Sequence, residues 1–415
     1  MAMPSPLVYT APLILPIGSD IIRNGAIVVD SEGILDIGSS AVIAAAWKDC
    51  ETVALSGVVI PPLINCHIHL ELSHVTGMKQ PPPDGSMVDW IEALLADRQL
   101  EYDDKVISRA KRDMIESQKR AGVVLMADIG NLPVDRHPPD SSLPEIYSIV
   151  EVLAPTRQRT SEILQQISAL PERQAVSPHA PYSTSADLLI ALKNRAGANK
   201  QIFTIHLAET GDEKTLLSLK SGPFRKFLEK RESWDNTLLP SGDFSGSVDY
   251  LDKLGVLDEK TLCVHCVHVN DEEIGMLAKH GTKVCLCPGS NRFLRTGPAP
   301  LEKMLATGIL PGIGTDSRAS NEDPNMWGEM RILHAHHPKV SPSVLLAMAT
   351  LGGARALHRE SDYGTLEKGK KPVFLEIEMD NLPEITGSTE REIFEELIYG
   401  NGFRNINWIH PFEKI

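Results

Sequence analysis

Residues 58–71 read VVIPPLINCHIHLE. An apolar run of strand length ends here in two imidazoles and a carboxylate, groups that an apolar strand does not ordinarily carry. Side chains two apart on a strand share a face, so His67 and His69 can aim at one ion, and Glu71 follows on that face if the strand continues. By itself an H-x-H reads more readily as two satisfied buried histidines than as a metal site. Its weight comes from what surrounds it.

Seven further apolar segments follow: GVVLMADIG (122–130), EIYSIVEVLA (145–154), RQAVSPHA (173–180), KQIFTIHLAE (200–209), TLCVHCVHV (261–269), TKVCLCPGS (282–290) and GILPGIGTDS (308–317). Helical patterns follow most of them, which is the signature of βα units and a parallel sheet. One helix is expected from Asp89 to about Arg120. Another, DEEIGMLAKHG, has Asn270 and Glu273 spaced as a capping box. A third is expected to start at Asp323-Pro324, with proline at its first position. The segment 131–144, NLPVDRHPPDSSLP, is loop-like, so the helix after the second strand is short or missing. Eight units suggest an α/β fold, a (β/α)8 barrel over 58–359.

The chain ends have a different texture. GAIVV and GILDIG flank a hairpin turn at Asp30-Ser31-Glu32-Gly33, and PVFLEIE, LIYGNG and NINWIHP close the chain. Between the last strands, TEREIFEELIYG places Ile393, Phe394, Leu397 and Ile398 on one helical face. Residues 1–57 and 360–415 are therefore expected to build one small β-domain together.

A barrel keeps its active site at the C-terminal ends of its strands. Five of the eight segments end in His or Asp. His206 ends the fifth strand, with Glu209 three residues later, where a carboxylate can move protons beside a metal-bound water. Alone, Glu209 reads as an ordinary helix-start residue. In the sixth, His265 and His268 are three apart and point to opposite faces, so one faces the barrel mouth. Asp316 ends the eighth as a fourth ligand and proton acceptor. By contrast, the H-x-H of His334 and His336, followed by His337, lies in the helical stretch MWGEMRILHAHH. Positions two apart on a helix diverge by about 200°, so a shared ion is not expected there.

Composition bounds the function. The 415 residues are 42% hydrophobic and 23% charged, with a formal net charge of -14. That balance repels nucleic acid, and no apolar run approaches the ~18 residues of a membrane span. The N-terminal MAMPSPLVYTAPLILPIG has no early Lys or Arg, so it does not read as a secretory signal, and a cytoplasmic protein is expected. Cys263/Cys266 and Cys285/Cys287 could suggest a zinc ribbon. Both pairs lie inside β-like runs, where cysteine is a common small core residue, and the core reading is preferred. Neither a G-x-G-x-x-G nor a P-loop is found, so no organic cofactor is implied.

The ordered set H-x-H, SPHAPYSTS, HLAET, VHCVH, CPGSN and GTDS resembles the amidohydrolase superfamily, in the branch of aromatic deaminases and triazine chlorohydrolases. The resemblance covers nearly the whole chain and extends to GTLEKGK at 364–370. It implies one divalent metal, zinc before iron or manganese, held by His67, His69, His206 and Asp316. It implies Glu209, His265 and Asp316 as catalytic residues, and His179 as a residue facing the substrate. Binuclear relatives use a carboxylated Lys on the fourth strand, and RQAVSPHA has none. The stretch HLELS (69–73) with VDWIEALLADR (88–98) is similar to the 6-amino-6-deoxyfutalosine deaminases of menaquinone biosynthesis, with Glu71 and Trp90 as further substrate contacts. The implied reaction replaces an aromatic ring amine by a carbonyl with release of ammonia. The alternatives are a deaminase of free purine, pterin or triazine, a chlorohydrolase, or, in another class, an inactive scaffold. The expected partner is a small-molecule substrate, without nucleic acid or membrane, and a homodimer is allowed.

Two departures stand out. Lys370 is followed by Lys371-Pro372, where the family continues with Ala-Asp. Adenosylhomocysteine-type deaminases carry a ribose-binding Glu two residues before a Trp, and Val88 stands there instead, before Asp89 and Trp90.

Overall fold

The computed structural model describes residues 5–411 except 84, 132–143, 236–237 and 401–402. The expected loop at 131–144 thus lies almost wholly outside the described residues.

Eight parallel strands form the larger sheet: β1 (Leu63–His69), β2 (Val123–Gly130), β3 (Glu145–Val152), β4 (Ala175–Pro178), β5 (Phe203–Leu207), β6 (Thr261–His265), β7 (Lys283–Leu286) and β8 (Gly312–Ile313, resumed at Asp316–Ser317). Their hydrogen-bonded order runs β5-β6-β7-β8-β1-β2-β3-β4. Across the remaining seam, the His206 amide donates to the His179 carbonyl at 2.9 Å and the Thr204 amide to Ser177 Oγ at 3.1 Å. The sheet is therefore curled into the expected barrel. β1 is buried at every position, as a strand covered on both faces must be. Gly314 lets β8 close against β1, because a Cβ there would meet the His67 Cβ at 2.8 Å and the Cys285 Sγ at 2.9 Å.

The chain ends build a separate seven-stranded sheet from Leu7–Ile14, Ile22–Val29, Ile34–Ser39, Glu51–Ala54, Val58–Ile60, Phe374–Met379 and Phe403–Ile409. Asp30 closes the hairpin by accepting from the amides of Glu32 and Gly33. Val58–Ile60, read in the sequence as the start of the first barrel strand, pairs instead in this sheet with Leu13, Ile14 and Leu375–Ile377. Pro61-Pro62 separates it from β1, since proline cannot donate to a ladder.

Two helix expectations are corrected. The segment after β1 is two helices, Met87–Asp97 and Asp104–Arg120. Asp103 starts the second by accepting from the Lys105 amide, a cap that competes with continuing the first. The helix expected at Asp323-Pro324 begins at Met326, capped by Asn325, while the Pro324 carbonyl is taken by Gln118 Nε2 at 2.7 Å. The capping box of Asn270 and Glu273 is formed. The helix Glu390–Tyr399 buries Ile393, Phe394, Leu397 and Ile398 against the barrel helices Met326–His336 and Pro342–Ala347. Among the described residues no helix is long and apolar enough to cross a membrane.

Candidate active site

β1 ends with His67 and His69 on one face, and their Nε2 atoms lie 3.0 Å apart. From β5, across the barrel, His206 brings its Nε2 to 3.1 Å from that of His67. Asp316, at the tip of β8, places Oδ1 3.6 Å from His67 Nε2 and 3.4 Å from His69 Nε2. One ligand atom from each of the four lies within 4.8 Å of the others.

These contacts do not work as a hydrogen-bond network. His67 Nε2 faces two other Nε2 atoms and can carry at most one hydrogen. His206 gives its Nδ1 hydrogen to the His179 carbonyl at 2.9 Å, so its Nε2 is a bare lone pair. Lone pairs so placed fit a shared cation: ligand atoms about 2.1 Å from one centre lie about 3.0–3.6 Å apart. Burial pushes His67 down to about 4 and His206 well below the usual imidazole range, so both are neutral, the form that ligates. Burial opposes ionisation of Asp316, but the cluster of imidazoles facing it, with His67 at 3.6 Å and His69 at 3.4 Å, outweighs burial and holds the carboxyl well below its usual value. Ser290 Oγ at 2.6 Å and Ser320 Oγ at 3.1 Å donate to its other oxygen.

The backbone bends sharply at these positions. Asp316 has φ 57°, His265 φ 73° and Ala208 φ 51°, left-handed values that cost a non-glycine residue of order 1–3 kcal/mol. At Ala208 the bend is held by Glu213 Oε1, which accepts the Ala208 amide at 2.9 Å. It delivers Glu209 into the barrel mouth, 2% exposed. Burial first, then the Asp316 charge, raises the Glu209 carboxyl well above its usual range. Its Oε1 lies 3.5 Å from His265 Nε2. The other nitrogen of His265 sits 2.9 Å from Asn291 Oδ1, which fixes the tautomer with Nδ1–H donating and leaves Nε2 as an acceptor. Burial lowers His265 too. Glu209, His265 and Asp316 thus bring a buried carboxyl, an imidazole with an open Nε2 and a carboxylate within 4.8 Å of one another.

The remaining sequence-predicted residues divide. His179 lines the cavity and shares a hydrogen bond with Ser183 Oγ at 2.7 Å. Glu71 does not continue the strand face, because β1 stops at His69 and a short turn Leu70–Leu72 follows, anchored by the Leu70 amide on Asp128 Oδ1 at 2.9 Å. Glu71 lies instead on the cavity wall, ion-paired with Arg98 and accepting from the Asn131 amide. Trp90 lines the same cavity, and its indole N–H has no partner among the described residues. His268 points away, to the Thr296 carbonyl. His334 packs against Tyr399 with its ring tilted and His337 pairs with Glu302, and the helical histidines share no ion site among the described residues. The six cysteines are unpaired, and none joins a metal-capable cluster among the described residues.

The cavity above these groups holds about 520 Å³. Met87, Trp90, Ile91 and Leu94 give it an apolar wall, and Glu71, Arg98, Asn131 and Glu151 a polar one. Sequence reasoning missed Ser290 and Asn291, although CPGSN was noted, and Arg98. It also missed Glu151, whose signal was an acid inside the apolar run EIYSIVEVLA.

Comparison with known proteins fits this geometry. Residues 58–398 match the amidohydrolase family. A 5-methylthioadenosine/S-adenosylhomocysteine deaminase of Moorella thermoacetica is 28% identical over 385 residues, covering 88% of this chain and 84% of the relative. The aminofutalosine deaminase of Helicobacter pylori, solved with methylthio-coformycin, superposes with a TM-score of 0.76 at 20% identity over 96% of this chain and 97% of that one. An adenosine deaminase of Xanthomonas campestris with bound zinc gives a TM-score of 0.70 at 20% identity, over 97% and 91%.

Proposed function

Because the chain belongs to the amidohydrolase family and so is a hydrolase acting on C–N bonds, we propose that it replaces the amine of an aromatic ring by a carbonyl, using one divalent ion held by His67, His69, His206 and Asp316. When bound, such an ion supplies Lewis acidity and lowers the pKa of a water towards about 7. Zinc suits this imidazole-rich donor set, as do iron and manganese.

The protein's own groups do the rest. Asp316, ionised, and His265, with a free Nε2 lone pair, orient the attacking water and take up its proton. Burial first, and the Asp316 charge next, favour the protonated form of Glu209. It is therefore ready to donate to a ring nitrogen, which makes the neighbouring carbon electrophilic. Once it has given up that proton it can accept another and pass it to the departing amine. His179, Glu71 and Trp90 hold the substrate, and the apolar wall excludes water around the reacting ring.

The observation that carries this reading is the meeting of three imidazoles and a carboxylate within 4.8 Å of one another, with the buried Glu209 carboxyl beside them. We assign the substrate to aminated purine nucleosides, with 6-amino-6-deoxyfutalosine first, on the HLELS and VDWIEALLADR stretches. The curated relative favours methylthioadenosine as a second reading, but Val88 stands where such enzymes carry their ribose-binding Glu.

A panel of 6-amino-6-deoxyfutalosine, methylthioadenosine, free adenine and an aminated and a chlorinated triazine tests the assignment. Ammonia and chloride are scored separately. The highest kcat/KM is expected on 6-amino-6-deoxyfutalosine, and chloride release alone would move the enzyme to the chlorohydrolases.

A further inference from the structure

Glu151 stands one residue before the end of β3 and is 6% exposed. It lines the cavity, yet its buried Oε1, turned towards His206, has no hydrogen-bond partner among the described residues. A buried polar atom left unpaired costs about 1–3 kcal/mol, so its persistence needs a reason. Its other oxygen lies 3.3 Å from Asn131 Nδ2, and Asn131 is held in turn by Arg98. The neighbouring acid, Glu71, is fully engaged by Arg98 and the Asn131 amide. Glu151 is thus the carboxylate of the polar wall with acceptor capacity to spare.

Its place decides what it can meet. Oε1 is 3.5 Å from His206 Nδ1, too far for a good hydrogen bond and facing a hydrogen already given to the His179 carbonyl at 2.9 Å. His206 Nδ1 is the ring edge remote from Nε2, so Glu151 stands a ring's width from the ligand atoms. Glu209, His265 and Asp316, which must surround the reacting carbon, come from the ends of β5, β6 and β8. Glu151, on β3, therefore lies where a substituent of the reacting ring would extend. The imidazole of His179 is close by, within 4.8 Å in the same group of polar atoms. A carboxylate beside an imidazole and a carboxamide suits a group that both donates and accepts hydrogen bonds.

We propose that Glu151 is a specificity-determining residue that accepts a hydrogen bond from a hydroxyl of the sugar-like substituent on the substrate. The proposal rests on the nucleoside reading of the substrate and goes further by naming the residue that selects for it.

The test measures binding rather than turnover. Metal-loaded protein carrying Glu209→Gln is titrated by calorimetry with methylthioadenosine and with its 2′,3′-dideoxy analogue. Burial raises the Glu151 carboxyl to about 7, so the hydroxylated ligand is expected to bind about 3- to 10-fold tighter, the range of an ordinary hydrogen bond. Adding Glu151→Leu should abolish that preference, and Glu151→Gln, which keeps an acceptor oxygen, should restore part of it. Metal content should be the same in all forms. Equal affinity for the two ligands before Glu151 is changed, or a preference that survives Glu151→Leu, overturns the proposal. So does a loss of metal in both Glu151 variants, which would make Glu151 a positioning residue for His206. A preference that depends on Glu151 in a protein whose parent releases no ammonia would defeat the deaminase reading and leave this one standing.

Discussion

Replacing Glu209 by Gln isolates proton transfer from everything else the site does. The side chain is 2% exposed, so a shape change would be felt throughout the barrel mouth, but Gln is nearly isosteric. The amide cannot give up and regain a proton at neutral pH. The four proposed ligand atoms are contributed by His67, His69, His206 and Asp316, so the ion should stay at about one per chain. A general acid–base group contributes about 10²–10⁴-fold, which at about 1.36 kcal/mol per decade is about 3–5 kcal/mol of barrier. The upper part of that range is expected, because Glu209 serves both the ring nitrogen and the leaving amine. The assay pairs elemental analysis with steady-state kinetics, and KM should change little. Loss of the ion would make Glu209 a ligand. Near-normal kcat with the ion retained would refute the argument that its raised pKa matters.

Three other outcomes follow from the geometry. His67→Ala and Asp316→Ala should each lose most of the bound metal, measured after dialysis, while His334→Ala, out on the helix beside Tyr399, should keep it. If His334→Ala emptied the site, the ligand set is wrong. Glu213 is fully buried, and burial first, with Glu209 adding, raises it to about 7 from 4.5. A carboxyl raised on folding gives stability that is complete below about pH 4.5 and lost as pH climbs through 7, a swing of about 3 kcal/mol. Glu213→Gln removes that dependence, so its melting temperature relative to the parent should rise between pH 5 and pH 8. A constant difference across that range would mean Glu213 ionises normally in the folded state.

The parts of this structure that sequence could reveal are those carried by local contrast. Each barrel strand is a short apolar run, and a His or Asp at the end of some of them breaks the pattern, so β1, β5, β6 and β8 announced both the fold and the five polar groups His67, His69, His206, His265 and Asp316. Positions set by contacts between distant segments were hidden. Nothing near Asn291 indicates that it fixes the tautomer of His265, 26 residues earlier. Glu71 looked like a third residue on the strand face because alternation says nothing of where a strand stops, and here a hydrogen bond from Leu70 to Asp128 stops it. Glu151 stood in its apolar run without a spaced partner, and the cavity wall it shares with Arg98 and Asn131 is built from distant segments. The split at Asp103 was legible in principle, as an N-cap residue inside a helical pattern.

The central claim is that this ion site and Glu209 together remove an amine from a heteroaromatic ring. The most direct measurement is ammonia released from 6-amino-6-deoxyfutalosine by protein stripped with a chelator and then reloaded with zinc. The account predicts no release from the stripped protein. On reloading, one ammonia should appear per substrate consumed, with activity saturating at about one ion per chain. Substrate left intact by fully loaded protein, together with every other aminated nucleoside and base in the panel, would contradict it.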